Sequence, residues 1–232
     1  MAGFAAICGA LATRLSSMPW EQPRVFAICA GAVLGYLVAD IVSGLVHWFC
    51  DTFFHDDTPL IGPAFIHPFR EHHVDPLAIT RHGFFEVNGN NCLALLPLVT
   101  AVLLLGAPLE GEPVPALFVQ STALAFALVT FATNQFHKWA HQERPVAAVR
   151  WLQATGLILS PVHHGRHHSQ PYRQAYCITA GWLDPVLDRT HLFERIERAI
   201  RRFAPDTTGR ERSRSSASAA SRRVAVDRPP EN

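Results

Sequence analysis

Long apolar runs set the pattern of this chain. Val25 to Phe49, Cys92 to Leu109 and Ala116 to Phe136 are almost free of charged residues, and a helix that crosses a bilayer needs roughly 20 mostly apolar residues. These runs are read as three spans. Three buried helices of a soluble bundle are the alternative, but the first and third runs exceed what a soluble core usually needs. The opening MAGFAAICGALATRL is too short for a convincing span and lacks the basic start of a cleaved signal peptide, so residues 1–24 are expected to form a peripheral, half-buried segment. Trp151 to Val162 is also short and is expected to lie in the interface or to dip in and return. Residues 204–232, rich in Ser, Arg and Pro, read as a disordered tail. The predicted fold class is all-α: an integral membrane helical bundle over residues 25–203 with a histidine-rich metal cap on one side.

Charge gives the bundle a direction. The net charge of +1 says little, but 16 of the 20 Lys and Arg residues lie after position 136. The connection Glu110 to Pro115 carries two acidic residues and no basic one. The positive-inside rule therefore puts that connection outside and residues 50–91 and 137–232 in the cytoplasm. Apolar residues make up 49% and charged residues 17% of the chain, below the roughly 25% charged of soluble domains. Five scattered cysteines without a C-x-x-C pair exclude a zinc-finger pattern and a disulfide framework. No glycine-rich dinucleotide or phosphate-binding fingerprint is present, so an organic redox cofactor has no visible seat, and nothing points to nucleic acid.

The histidines change the picture most. Twelve of thirteen fall between His47 and His168, and the topology puts every group at the same mouth of the bundle. His47 ends the first span; FIHPFREHHVDP (His67, His72, His73) and RHGFFE (His82) precede the second. HKWAH (His137, His141) follows the third, and HHGRHH (His163, His164, His167, His168) comes next. At about 3.6 residues per turn, Asp40 and His47 share a helix face and Asp51 lies one turn beyond His47. An aspartate inside an apolar span is costly unless it finds a partner. For Asp40 that partner is either a metal-bound imidazole, held by its second nitrogen, or an interhelical polar contact.

Each motif alone has a plain reading: a solvated H-x-x-x-H face, a polar turn at REHHVDP. Together on one side they point to metal, with His55, His67 and His191 left as surface residues. About ten candidate nitrogens exceed one coordination sphere and imply two ions. Tetrahedral zinc would need only four ligands, often with Cys. Imidazole with an occasional carboxylate and open positions suits non-haem iron, whereas haem would use one or two axial histidines and leave the rest unexplained.

At these residues the chain resembles a known family. GLVHWFCDTF, FIHPFREHHVDPLAITRHGFFEVNGNNC, NQFHKWAHQ and LSPVHHGRHHSQPYRQAYCITAGWLDPVLD are similar to the plasmanylethanolamine desaturase family, over about residues 36–200. The resemblance implies a membrane desaturase that turns a 1-O-alkyl ether phospholipid into its 1-O-alk-1′-enyl form. It implies two irons, molecular oxygen and electrons from a small carrier such as cytochrome b5 or a ferredoxin-like protein. Carried over by position, His137 and His141 form one histidine box and His164 to His168 another, with His47, His72 and His73 completing the set.

The residues agree with that class. Taking hydrogen from an unactivated alkyl chain is beyond side-chain acids and bases and needs a metal–oxygen oxidant. Arg70, Arg81 and Arg166 are candidates for holding lipid phosphate, and each is equally suited to a structural ion pair. Asp51 is the candidate catalytic carboxylate, either binding metal or orienting a ligand histidine. The other readings are a fatty-acyl or sterol desaturase or hydroxylase and, from another class, a membrane metal transporter or sensor. A transporter should place ionisable groups deep in several spans; here only Asp40 is deep.

Overall fold

The structure is a computed structural model that describes residues 1–17, 19–105 and 113–203. The connection around Glu112 and the tail from residue 204 lie outside the described residues. Among the described residues every regular element is a helix, and there is no strand. Three helices are long and apolar enough to cross a membrane: α2 (Gln22–Thr52), α5 (Phe84–Leu105) and α6 (Val114–Ala140). Around them lie α1 (Ala2–Ser16), α3 (His67–Val74), α4 (Ala78–Arg81), α7 (Ala147–Ala154), α8 (Pro161–His167), α9 (Asp184–Arg189) and α10 (Leu192–Phe203), with a π-helical turn at Gly62–Ile66. Phe26, Val33, Leu93, Leu104, Val119 and Leu128 point outward from the three long helices. In a bilayer these side chains are solvated by lipid, so the protein is an integral membrane bundle.

Inside a bilayer, helices associate through close packing rather than through a hydrophobic drive, which favours small residues at the contact. Gly31 and Gly35, one turn apart on α2, meet that need. A Cβ at Gly31 would lie 2.5 Å from the Phe118 carbonyl oxygen, and one at Gly35 2.8 Å from Ala125 Cβ. The α2 and α6 backbones therefore touch. The other helices join more conventionally: Phe4, Cys8, Leu11 and Leu15 of α1 pack on Cys92, Leu95 and Val99 of α5 and on Leu117 and Leu124 of α6. The opening segment is thus a short helix built into the side of the bundle.

Helix α5 begins eight residues before the apolar run Cys92 to Leu109 suggested. Its first two turns carry VNGNN, which reads as loop. There Asn91 Nδ2 donates to the Thr130 carbonyl at 2.8 Å, and Asn134 Nδ2 of α6 donates to the Val87 carbonyl at 3.0 Å. Amides that look like turn formers in isolation are here interhelical cross-links, and they extend the helix through a polar stretch.

Trp151 to Val162 ends helix α7, passes through a turn and starts α8. Helix α7 ends at a turn where Gly156 takes φ 72°. Tyr36 Oη donates to the Leu157 carbonyl, Trp182 Nε1 donates to the Gly156 carbonyl at 2.7 Å, and the Tyr36 and Trp182 rings lie 4.9 Å apart. Tyr36 precedes His47 by eleven residues, about 16 Å along α2.

The segment from Tyr176 to Asp184 lies against α2 without forming a helix of its own, so its amides need acceptors. Asp40, fully buried, provides them. Its Oδ1 accepts from Ala180 N at 2.9 Å and Gly181 N at 3.0 Å, and its Oδ2 from Leu183 N at 3.1 Å. Ser43 Oγ accepts from Ile178 N at 3.0 Å, and Asp184 Oδ1 from Cys177 N at 3.0 Å. The intramembrane aspartate is thus a polar tether for a loop.

Replacing Asp40 with Ala strands three buried amides, at about 1–3 kcal/mol each. Asp40→Ala should markedly lower the thermal unfolding midpoint in detergent, and Asp40→Asn, which keeps one acceptor oxygen, should lower it less. Midpoints equal to that of the parent for both would show that the segment holds itself.

Candidate metal centre

Four elements bring imidazoles to one place. The last turns of α2 supply His47 and Asp51, α3 supplies His72 and His73, the end of α6 supplies His137 and the capping residue His141, and α8 with its cap supplies His164, His167 and His168. Each placement has a local cause. His47 and Asp51, like His137 and His141, are four apart and so neighbours on one face. Helix α8 starts where it does because Ser160 Oγ accepts from His163 N at 3.1 Å and Pro161 occupies the first turn.

The rings form two groups. In one, His72, His137, His141, His164 and His168 each offer a nitrogen; in the other, His47, His72, His73 and His167 do so, with all ligand atoms of a group within 4.8 Å of one another. Within the first group the Nε2 atoms of His137 and His164 are 2.9 Å apart, those of His141 and His164 2.9 Å, those of His168 and His164 3.0 Å and those of His141 and His137 3.3 Å. Four imidazole nitrogens converging on one point cannot all be satisfied by protons shared between them. Adjacent ligands on a metal with bonds of about 2.1 Å lie about 3 Å apart. The spacing is that of a coordination sphere.

The second group has a carboxylate. Asp51 Oδ2 is 3.0 Å from His73 Nε2, 3.4 Å from His167 Nε2 and 3.6 Å from His47 Nε2. Outer hydrogen bonds turn the rings inward: His47 Nδ1 donates to the Tyr176 carbonyl at 3.0 Å and His167 Nδ1 to the Gln174 carbonyl at 2.9 Å. Such bonds fix the tautomer and leave Nε2 as the free lone pair. His72 stands between the groups, 2% exposed, with both ring nitrogens buried and without a hydrogen-bond partner.

Burial favours the neutral form, the one that binds metal, at His72, His141, His164 and His168. His72 and His164 are held well below the ordinary imidazole value by burial first and by neighbouring imidazoles second. The same causes bring His141 to about 4 and His168 to about 3. A buried cluster of neutral imidazoles with orphaned nitrogens fits a bound metal, and the donor set of nitrogens with one carboxylate is the one that suits iron.

Of the ten histidines singled out in the sequence, eight meet in these groups and two do not. His82 is exposed and pairs with Glu86 at 2.8 Å. His163, at the edge of the α8 histidine face, turns to the buried Asp184, with Nε2 to Oδ2 at 2.7 Å. Gly181 makes room for that ring: a Cβ there would lie 2.8 Å from His163 Cε1. His67 pairs with Asp56 and His191 with Glu194, both outside the groups.

The arginines also separate. Arg70 donates to the carbonyls of Cys50 at 3.3 Å, Phe53 at 3.2 Å and Phe54 at 2.7 Å, closing the open end of α2. Arg81 pairs with Asp75 at 2.5 Å on the surface. Arg166, about half exposed and 3.8 Å from Asp188, lines a cavity of about 420 Å³ with Ser160, His163 and Trp182. Sequence reasoning missed Asp184 and the carbonyls of Gln174 and Tyr176. The AYCITAGWLD stretch that holds them carries no metal-ligand residue to draw the eye.

Comparison with known proteins agrees with this centre. The plasmanylethanolamine desaturase of Myxococcus xanthus is 47% identical over 191 residues, 82% of this chain and 66% of that protein. Plasmanylethanolamine desaturase 1 of Mus musculus is 43% identical over 185 residues, 78% of this chain and 67% of that protein. Fatty acid desaturase 4, chloroplastic, of Arabidopsis thaliana is 37% identical over 168 residues, 70% of this chain and 48% of that protein. The chain spans about two thirds of the length of the first two relatives. No solved structure matches. A family model described as a lipid desaturase domain matches residues 36–211, a range that takes in both histidine groups and the loop that orients them, and the chain belongs to the lipid desaturase family.

Proposed function

We propose that this protein is a di-iron, oxygen-dependent oxidoreductase that desaturates a 1-O-alkyl ether phospholipid to the 1-O-alk-1′-enyl form, with electrons from a small carrier protein. The observation that carries the reading is the pair of closely packed histidine groups meeting at His72. Two groups imply two ions, and a donor set of imidazoles with one carboxylate favours iron over zinc.

Iron, when bound, supplies the oxidising power toward an unactivated C–H bond that no side chain has. The protein's own contribution is positional. His137, His141, His164 and His168 would hold one ion and His47, His73 and His167 the other, with His72 available to both. Asp51 would bind or orient the second set. The Tyr176 and Gln174 carbonyls keep His47 and His167 aimed inward. Burial keeps water from the rings. The histidines lie at the ends of α2 and α6, so an alkyl chain can stay in lipid while the headgroup remains at the interface. By the positive-inside rule that interface is the cytoplasmic one.

A fatty-acyl desaturase is the second reading, favoured by the likeness to the Arabidopsis protein named a fatty acid desaturase. A transporter is disfavoured, because the one deep carboxylate, Asp40, already accepts from three amides. Lipid analysis of cells with and without the protein separates the first two. Acid-labile vinyl ethers should accumulate with it; a new acyl double bond without vinyl ethers would replace the ether-lipid reading.

Purified protein should carry close to two irons per chain, and one zinc without iron would overturn the di-iron reading. His137→Ala or His168→Ala should abolish activity and lower iron content with the protein still in the membrane. His163→Gln should keep its iron. Asp51→Asn should lose iron outright if the carboxylate is a ligand, or cost roughly 10–100-fold in affinity or activity if it orients one.

The metal-free protein should be acid-labile. His141 and His168 are neutral in the fold down to about 4 and about 3, against an ordinary value of 6.5. The unfolded chain takes up those protons first, so stability present above pH 6.5 is lost progressively as the pH falls toward 4 and 3. Denaturant midpoints measured from pH 7 to pH 4 check the sign.

A further inference from the structure

The proposed desaturation leaves an electron debt, and the surface over the second histidine group is built to settle it. Removing one hydrogen each from C1′ and C2′ breaks two C–H bonds, forms the C=C bond and releases two electrons and two protons. Reducing O2 to two waters takes four of each. Two further electrons and two protons must therefore come from outside the lipid. We propose, resting on that reading, that the guanidinium face of α10 is the docking surface for an acidic one-electron carrier protein, which delivers the two electrons one at a time.

Two independent observations meet at this helix. The first is its charge. Arg195, Arg198 and Arg202 recur at the spacing of one helix face and are exposed. No carboxylate among the described residues pairs with them. The acidic side chains of α10 are engaged elsewhere, Glu194 with His191 at 3.4 Å and Glu197 with Arg201 at 2.6 Å. The second is what lies beneath. Phe193, 4% exposed, is stacked on Trp48 at 5.4 Å and meets Tyr176 edge-on at 5.3 Å. Tyr176, 1% exposed, lies 4.9 Å from the His167 ring and 5.8 Å from the His47 ring. A run of touching rings thus leads from under the arginine face to two imidazoles of the second metal group. Tunnelling decays exponentially with distance, so a carrier on α10 would face the centre across this run of packed rings.

The chemistry favours a protein over a lipid surface. An interfacial membrane helix buries its apolar face in lipid. Here Phe193, Ile196 and Ile200 are already packed on the core around Trp48 and Tyr176. What remains outward is a charged stripe with few apolar anchors, suited to the small, polar and transient encounters of electron-transfer partners.

The test uses the full-length, iron-loaded protein in nanodiscs, with a reduced acidic [2Fe–2S] ferredoxin as probe and, as a reductant that needs no docking, dithionite with methyl viologen applied anaerobically and removed before O2 is admitted for a single turnover. Arg195→Glu/Arg198→Glu/Arg202→Glu should weaken ferredoxin binding and raise its KM tenfold or more. It should abolish the decline in on-rate with added salt that steering predicts, and leave the viologen-driven rate unchanged. The corresponding triple Lys variant should keep most ferredoxin affinity. Unchanged ferredoxin binding in the Glu variant overturns the proposal. So does an equal fall in both rates, or lost binding to phosphatidylglycerol vesicles with ferredoxin kinetics intact. Failure of the parent protein to form a vinyl ether with viologen counts instead against the desaturase reading, because ferredoxin binding is measured separately.

Discussion

A carboxylate buried in a membrane helix must find donors, and Asp40 finds three backbone amides of a loop that has no ladder of its own. Much of the site follows from that tether. The loop it holds runs back through Ile178 and Cys177, pinned by Ser43 and Asp184, to the Tyr176 carbonyl that orients His47. Leaving the aspartate unpaired would be costly in lipid, and so would leaving the loop amides unmet. Each resolves the other's penalty, which is why an irregular segment can lie against a transmembrane helix at all.

The same loop separates a clustered histidine from one that turns away from the cluster. His163 and His164 are adjacent in sequence, yet His164 faces three imidazoles while His163 closes on Asp184 over the bare backbone of Gly181. Asp184 is wholly buried and accepts from both the His163 ring and Cys177 N. Without it the His163 ring would have no fixed partner on the loop side. The metal groups themselves are a local cost to the fold, with orphaned nitrogens at His47, His72, His73 and His164. A bundle that packs α2 directly on α6 through Gly31 and Gly35 supplies the rigidity to hold them.

Much of this was legible in the residues. Apolar run length announced the three long helices, because lipid exposure imposes a composition that few other environments require. Histidine grouping on one side announced a shared imidazole cluster, and eight of the ten rings singled out do converge. Helix α5 was read short at its start because the apolar run begins only at Cys92, and the polar turns before it are held by partners of Asn88 and Asn91 on α6. Arg70, suited by its sequence to phosphate or to a structural pair, closes the carbonyl end of α2 and pairs with Asp56.

Periodicity and composition are local properties, and the sequence by itself determined what depends on them: all-helical spans, a short apolar segment before the histidine run, and the residue types at the centre. The tertiary structure alone decided which eight imidazoles converge, that His72 is shared between groups and that His163 turns to Asp184 instead. It also decided that Asp40 serves a loop rather than a ring. Those outcomes depend on which backbone amides and carbonyls of a distant segment arrive beside each side chain. Backbone groups are the same at every position, so no residue pattern in the sequence records where they will be needed.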